Sequence, residues 1–159
     1  MTAQTLDRVL KCYRIGDPDG AYPIFDATGS KLYPGRWNTS GCPMIYASEH
    51  YSTAMLEKFV HGSGRIPQNQ HYIEITIPNG VSYEVFDPAS LSDWMHASAT
   101  ASRAYGDEWQ SSRRSLLLIV PSVVARIDQN FLINADHLQF SQVKTSLHRP
   151  IWWDSRLFK

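Results

Sequence analysis

Four side chains in this sequence are of types that do chemistry: Arg36 in "PGRWN", Tyr46 in "MIYAS", Glu57 in "AMLE" and Ser122 in "VPSVV". A guanidinium offers planar, paired donors and keeps its charge, so Arg36 suits a diphosphate better than a lysine would. It follows a Pro-Gly turn directly, where small polar side chains are usual, and with Trp37 beside it the turn is oversized for a connection. Tyr46 lies on the short strand just after, where its aromatic face could stack on a flat heterocycle. Its spacing suits a core tyrosine with a satisfied hydroxyl equally well. Glu57 is the sole carboxylate in the middle of a helix, and it falls away from that helix's apolar arc, which by periodicity makes it solvated. Ser122 stands just past an apolar strand, a common position for a pocket-lining side chain and an equally cheap one for a turn cap. Taken singly, each of the four has a simpler structural explanation.

Other chemistries lack their signatures. His50, His61, His71, His96, His137 and His148 show no HExxH and no paired zinc spacing, so no metal is expected. Ser63 in "HGSGR" has half of a nucleophile elbow and Ser122 has none, which argues against an acyl-transfer triad. Neither GxGxxG nor GxxxxGK[ST] occurs.

The elements that must position these residues read as α+β. "CYRI" is a candidate opening strand, and "DPDGAYPIFDATGSKLYPG" reads as a long loop. "MIYAS" is a short strand, after which Ser48 can cap a helix from about 49 to 61 with Tyr51, Met55, Leu56 and Phe59 on one arc. "HYIEITI" alternates, Ile73, Ile75 and Ile77 one way and Tyr72, Glu74 and Thr76 the other, as a half-buried strand does. Asn79-Gly80 supplies a turn before the strand "SYEVF". A helix is expected over about 95–112, weakened by Gly106. "SLLLIV" reads as a strand buried on both faces, and a short helix is expected near "ADHLQF". Strands outnumber helices without alternating regularly with them, which fits α+β better than a doubly wound sheet.

The 159 residues suit one domain spanning 1–159 with a substantial core. Lys plus Arg equals Asp plus Glu at 15 each, so a chain gripping duplex DNA by itself is a poor expectation. Cys12 and Cys42 form no CxxC pair. No signal peptide or membrane-length apolar run is visible, so a soluble, cytoplasmic chain without membrane contact is expected.

The order of the motifs says more than any one of them. "YRI", then "GRWN", "P-x-I-Y-A-S" with its tyrosine ten residues after the arginine, "AMLE" with its glutamate eleven further on, "VPSVV", "N-x-L-x-N" and terminal "DSRLF" together resemble the RES domain family over about Tyr13 to Phe158. The arginine, glutamate and serine of that family's name match Arg36, Glu57 and Ser122. The resemblance implies an ADP-ribosyltransferase-like fold, a mixed sheet core with flanking helices. It also implies the toxin of a bacterial toxin–antitoxin pair that consumes NAD as substrate, with no further cofactor. The implied partner is an Xre-type helix-turn-helix antitoxin that supplies the DNA binding, and a homodimer within the complex is compatible with it.

On that resemblance the expected reaction is cleavage of the nicotinamide–ribose bond. Nicotinamide leaves neutral, so the barrier lies in the oxocarbenium character of the ribose, which Glu57 would stabilise. Arg36 would hold the diphosphate, Tyr46 would pack near the nicotinamide end, and Ser122 would position rather than attack. Arg14 would give a second positive contact, and Asn130 would orient a pocket loop. Water, phosphate or a protein side chain would each serve as acceptor, which keeps mono-ADP-ribosylation open beside NAD degradation. A catalytically silent partner-binding module is the alternative outside enzymes.

Overall fold

A computed structural model describes residues 3–65 and 67–158. In chain order the elements are β1 (Gln4–Thr5), β2 (Leu10–Gly16), α1 (Thr28–Leu32), β3 (Ile45–Ser48), α2 (Tyr51–His61), β4 (His71–Ile77), β5 (Ser82–Val85), α3 (Thr100–Ser112), β6 (Leu117–Pro121), β7 (Gln129–Ile133), β8 (Lys144–Thr145) and β9 (Arg149–Pro150). Short 3-10 turns lie at Pro88–Ser90, Phe140–Gln142 and Ser155–Phe158. The strands make one mixed sheet in the order β1-β5-β6-β7-β3-β2-β4-β8, with β9 also on β4. Only β5 and β6 run parallel; the other pairs are antiparallel. The α+β class read from the sequence is the one observed.

The sheet is weakest where β2 meets β3. They share one rung, Tyr13 with Ser48, whereas β2 and β4 match from Leu10–Ile77 to Gly16–His71, and β3 and β7 from Ile45–Ile133 to Ser48–Asn130. Beyond that rung the two halves of the sheet part, leaving a wedge beside β3.

Period-two alternation sorts side chains onto two faces. Ile45, Ala47, Leu117, Ile119, Phe131 and Ile133 pack with Cys12, Ile73 and Ile75 on one. On the other, Leu118, Val120 and Leu132 pack under Trp37, Phe86, Trp94 and Trp109. By the same alternation Tyr46, Ser48, Asn130 and Ser122 belong to this second face.

Several helical expectations change. α2 starts at Tyr51 with His50 as N-cap and no capping side chain, so Ser48 is not the cap; it stays in β3. Of the arc Tyr51, Met55, Leu56 and Phe59, only Leu56 is exposed, and the other three are half-buried. The most buried residues of α2 are Thr53 and Ala54, with Glu57 and Lys58 half-buried one turn on, while Leu56 and Val60 are 42% and 52% exposed. The helix therefore sets polar Thr53 and Glu57 against the sheet beside its apolar Tyr51. α3 begins at Thr100, five residues later than expected, after turns over 92–98. α1 lies inside the stretch read as loop, β5 pairs with β1 and β6 rather than with β4, and only a 3-10 turn follows "ADHLQ".

Candidate active site

The "PGRWN" turn is held from two sides. α3 comes so close that a Cβ on Gly106 would lie 1.8 Å from the Trp37 carbonyl oxygen, so the glycine that weakens the helix is what lets it dock. From the same stripe of α3, Ser102 Oγ donates to the Arg36 carbonyl (2.8 Å) and Arg103 Nε to the Gly35 carbonyl (2.8 Å). Asp107 accepts the Thr39 N–H at 2.9 Å. From the sheet side, Tyr46 Oη accepts the Trp37 N–H (3.0 Å) and donates to Asn38 Oδ1 (2.6 Å). The phenol packs so tightly that a Cβ on Gly35 would fall 2.7 Å from it. Buried Asn38 also accepts the Gly35 N–H and donates to the Ser30 carbonyl. Burial raises the Tyr46 phenol far above its ordinary value, against the Trp37 N–H, which lowers it. Its hydroxyl is committed to the turn, and what Tyr46 has left to offer a ligand is ring surface.

So mounted, Arg36 turns its guanidinium outward. Nη1 donates to the carbonyls of Trp94 and His96, both at 3.0 Å. Among the described residues its Nε and Nη2 edge meets no protein acceptor, leaving a two-pronged edge of the kind that grips an oxyanion.

A second cluster forms where α2 crosses the ends of β3, β6 and β7. Ser122 Oγ and Asn130 Nδ2 both donate to one oxygen of Glu57, Oε1, each at 2.8 Å. The Ser122 oxygen in turn accepts the Ala125 N–H (3.0 Å), and Ser48 Oγ donates to Asn130 Oδ1 (2.8 Å). Thr53, one turn before Glu57, anchors the helix by donating to Asp128 Oδ2 at 2.6 Å. Oε2 of Glu57 accepts nothing among the described residues. Ser122 gives its one proton to the carboxylate, a geometry that fixes Glu57 Oε1. The expectation of a solvated Glu57 does not hold, because periodicity counts apolar residues and this face of α2 docks through polar ones.

Arg14 occupies the wedge between β2 and β3, its Nε donating to the Ile24 carbonyl (2.6 Å) and Nη1 to the Tyr46 carbonyl (2.8 Å). Burial lowers its pKa, opposed by Asp26 and Tyr46. With Lys58 of α2 it lines a cavity of about 150 Å³, and burial followed by Arg14's charge depresses the Lys58 ammonium. A larger cavity of about 410 Å³ adjoins it between the 18–25 loop and 145–148, sharing Tyr22, Pro23 and Ile24, and takes in neither Arg14 nor Glu57.

The structure thus joins Glu57, Ser122 and Asn130, and separately Arg36 and Tyr46. Among the described residues no hydrogen bond or ion pair links the two clusters directly, and neither of these two cavities is lined by a residue of either cluster. They meet through β3, where Tyr46 and Ser48 stand on the same face two residues, about 6.5–7 Å, apart. Ser48 and Lys58 escaped the sequence reading. The same-face spacing of Ser48 from Tyr46 was the available signal for the first; nothing local marks the second. Among the described residues no three His, Cys, Asp or Glu side chains gather to hold a metal, and no helix is long and apolar enough to cross a membrane.

Residues 11–154 match the family model of the RES domain. The "Prs ADP-ribosylating toxin" of Sphingobium sp. (strain YBL2) is 34% identical over 154 residues, 92% of this chain and 96% of that protein. Two proteins called "Toxin Res" are also similar. That of Photorhabdus laumondii is 30% identical, covering 92% of this chain and 96% of its own; that of Pseudomonas putida is 32% identical, covering 87% and 95%. Among solved structures, the M. tuberculosis MbcT–MbcA toxin–antitoxin complex contains a chain of the same fold, with TM-score 0.68 and 15% identity over 92% of this chain and 86% of that one.

Proposed function

The chain belongs to the RES domain family, and we propose that it is the toxin of a toxin–antitoxin pair that cleaves the nicotinamide–ribose bond of NAD. The observation that carries this reading is the half-engaged carboxylate of Glu57. Two donors on Oε1 fix its plane and leave Oε2 open. A carboxylate so held suits a reaction whose transition state gathers positive charge on a sugar, because it need not reorganise as the charge develops. Oε2 would accept a ribose hydroxyl and face the oxocarbenium, while nicotinamide departs as a neutral molecule without a general acid.

Arg36 would grip the diphosphate by its Nε and Nη2 edge, its other edge being pinned to the 94–96 turn. Arg14, on the far side of β3, would add a second positive contact. The ring of Tyr46, on the sheet face that carries Ser48 and Asn130, would pack against the nicotinamide end. Water or inorganic phosphate as acceptor would make the activity NAD-depleting, which is the first reading. Transfer to a protein side chain is the second, favoured by the name of the Sphingobium relative. An antitoxin, expected to be of Xre type, would hold the toxin silent, and the solved complex sharing this fold is support for such a partner.

Partner-free protein incubated with NAD, with and without phosphate, tests the reading by product separation. Free nicotinamide is expected, with ADP-ribose, ADP-ribose 1″-phosphate or a labelled protein identifying the acceptor. Intact NAD after incubation with folded, partner-free protein overturns it.

A further inference from the structure

We infer that Ser48 is a positioning residue whose hydroxyl holds the far end of the Asn130 amide in place and, through it, the plane of the Glu57 carboxylate. The inference rests on the role of Glu57 given above and adds a residue to it. Its logic is one of donors and acceptors. A carboxylate only accepts hydrogen bonds, so the atom of Asn130 at 2.8 Å from Glu57 Oε1 must be the amide nitrogen. That leaves Oδ1 at the other end, 2.8 Å from Ser48 Oγ, and an amide oxygen only accepts. The Ser48 proton therefore points at Asn130. Its direction is dictated by a carboxylate it never touches.

The fold leaves Ser48 little freedom to do otherwise. It is buried, its backbone pairs with Asn130 on one side and with Tyr13 on the other, and it stands at the only rung between β2 and β3. The carboxylate decides which end of the amide faces it, since a flipped amide would set Oδ1 against Glu57 Oε1, oxygen facing oxygen. Ser48 decides how firmly that amide is held. Without its donor Asn130 is anchored at the nitrogen end alone, and the amide can swing. Glu57 would then keep only its bond from Ser122 in fixed geometry.

The test is a kinetic double-mutant cycle of Ser48→Ala with Asn130→Ala, read by nicotinamide release, with Ser48→Thr as the variant that keeps the hydroxyl. If Ser48 acts through Asn130, Ser48→Ala lowers kcat about tenfold, in line with one lost buried hydrogen bond to a polar network. KM for NAD stays near wild type and Ser48→Thr recovers most of kcat. In the Asn130→Ala background the same substitution has no further effect, because no amide is left to hold. A general loosening of the sheet would lower kcat equally in both backgrounds, and that result, or wild-type kcat for Ser48→Ala, overturns the inference. A readout independent of turnover is the NMR signal of the Asn130 side-chain amide. It should be well dispersed and slow to exchange in the wild type and should collapse toward free-amide values in Ser48→Ala. If wild-type protein leaves NAD intact, the proposed reaction falls, while an unmoved Asn130 amide in Ser48→Ala sinks the Ser48 inference by itself.

Discussion

Replacing Glu57 by glutamine removes the charge that the account depends on while keeping the shape that the fold depends on. With the amide oxygen in the place of Oε1, Ser122 and Asn130 keep the acceptor they meet at 2.8 Å, and the amide nitrogen takes the open position of Oε2. Stability should change little. Glu57→Ala, by contrast, would leave both donors without a partner at about 1–3 kcal/mol for each that stays dry, which confounds folding with catalysis. For the chemistry, unit charges about 4 Å apart interact by about 4 kcal/mol at an effective dielectric of about 20. Scaled to a partly developed sugar cation, the loss is about 2–4 kcal/mol, or about thirtyfold to a thousandfold in kcat. The assay is initial-rate nicotinamide release at saturating NAD, run beside a thermal melt of the same sample. A Glu57→Gln protein that melts like the wild type and turns over at the wild-type rate refutes the electrostatic role outright.

Three further outcomes follow from the geometry. Arg36→Lys keeps the charge but loses the planar edge and the clasp on the Trp94 and His96 carbonyls. KM for NAD should therefore rise about tenfold or more, measured by the same assay. Tyr46→Phe strips the Trp37 N–H of its acceptor and Asn38 Oδ1 of a donor while sparing the ring. It should cost about 1–3 kcal/mol in urea unfolding with KM nearly unchanged; a large KM effect without destabilisation would place the hydroxyl, not the ring, at the ligand. Buried His137 accepts the Gln139 N–H at Nδ1, and burial lowers its pKa below the ordinary 6.5. The unfolded chain then binds that proton at higher pH than the folded one. This contribution to stability is complete above about pH 6.5 and is lost as pH falls through the folded value. His137→Asn keeps an acceptor for Gln139 through an Asx turn, so its urea midpoint should fall less than that of the wild type between about pH 7.5 and about pH 5.

The sheet was legible where one local rule settled the outcome. "HYIEITI" could satisfy its alternation only as a half-buried strand, and "SLLLIV" could bury its run only inside a sheet; both are strands in the structure. Pairing partners were not legible. Whether β5 lies beside β4 or β6 depends on where the chain returns from α3, and Asn79-Gly80 says nothing about that. α2 misled for a different reason. Its apolar arc is half-buried but for Leu56, yet Thr53, Glu57 and Lys58 also find donors, acceptors and a cavity, so polar residues that hydrophobicity would expose share the docked side. Ser48 was misread in the same way, its hydroxyl being free to cap a helix in the sequence and taken by Asn130 in space. Gly106 looked like a helix flaw because the approach of Trp37 is a contact between residues distant in the chain.

The account reduces to one placement, the ribose of NAD against the open oxygen of Glu57. A crystal structure of Glu57→Gln soaked with NAD measures it directly. The account predicts the nicotinamide ribose within hydrogen-bonding distance of the residue 57 side chain and the diphosphate on the Nε and Nη2 edge of Arg36. NAD bound instead in the cavity between the 18–25 loop and His148, with residue 57 untouched, would contradict it.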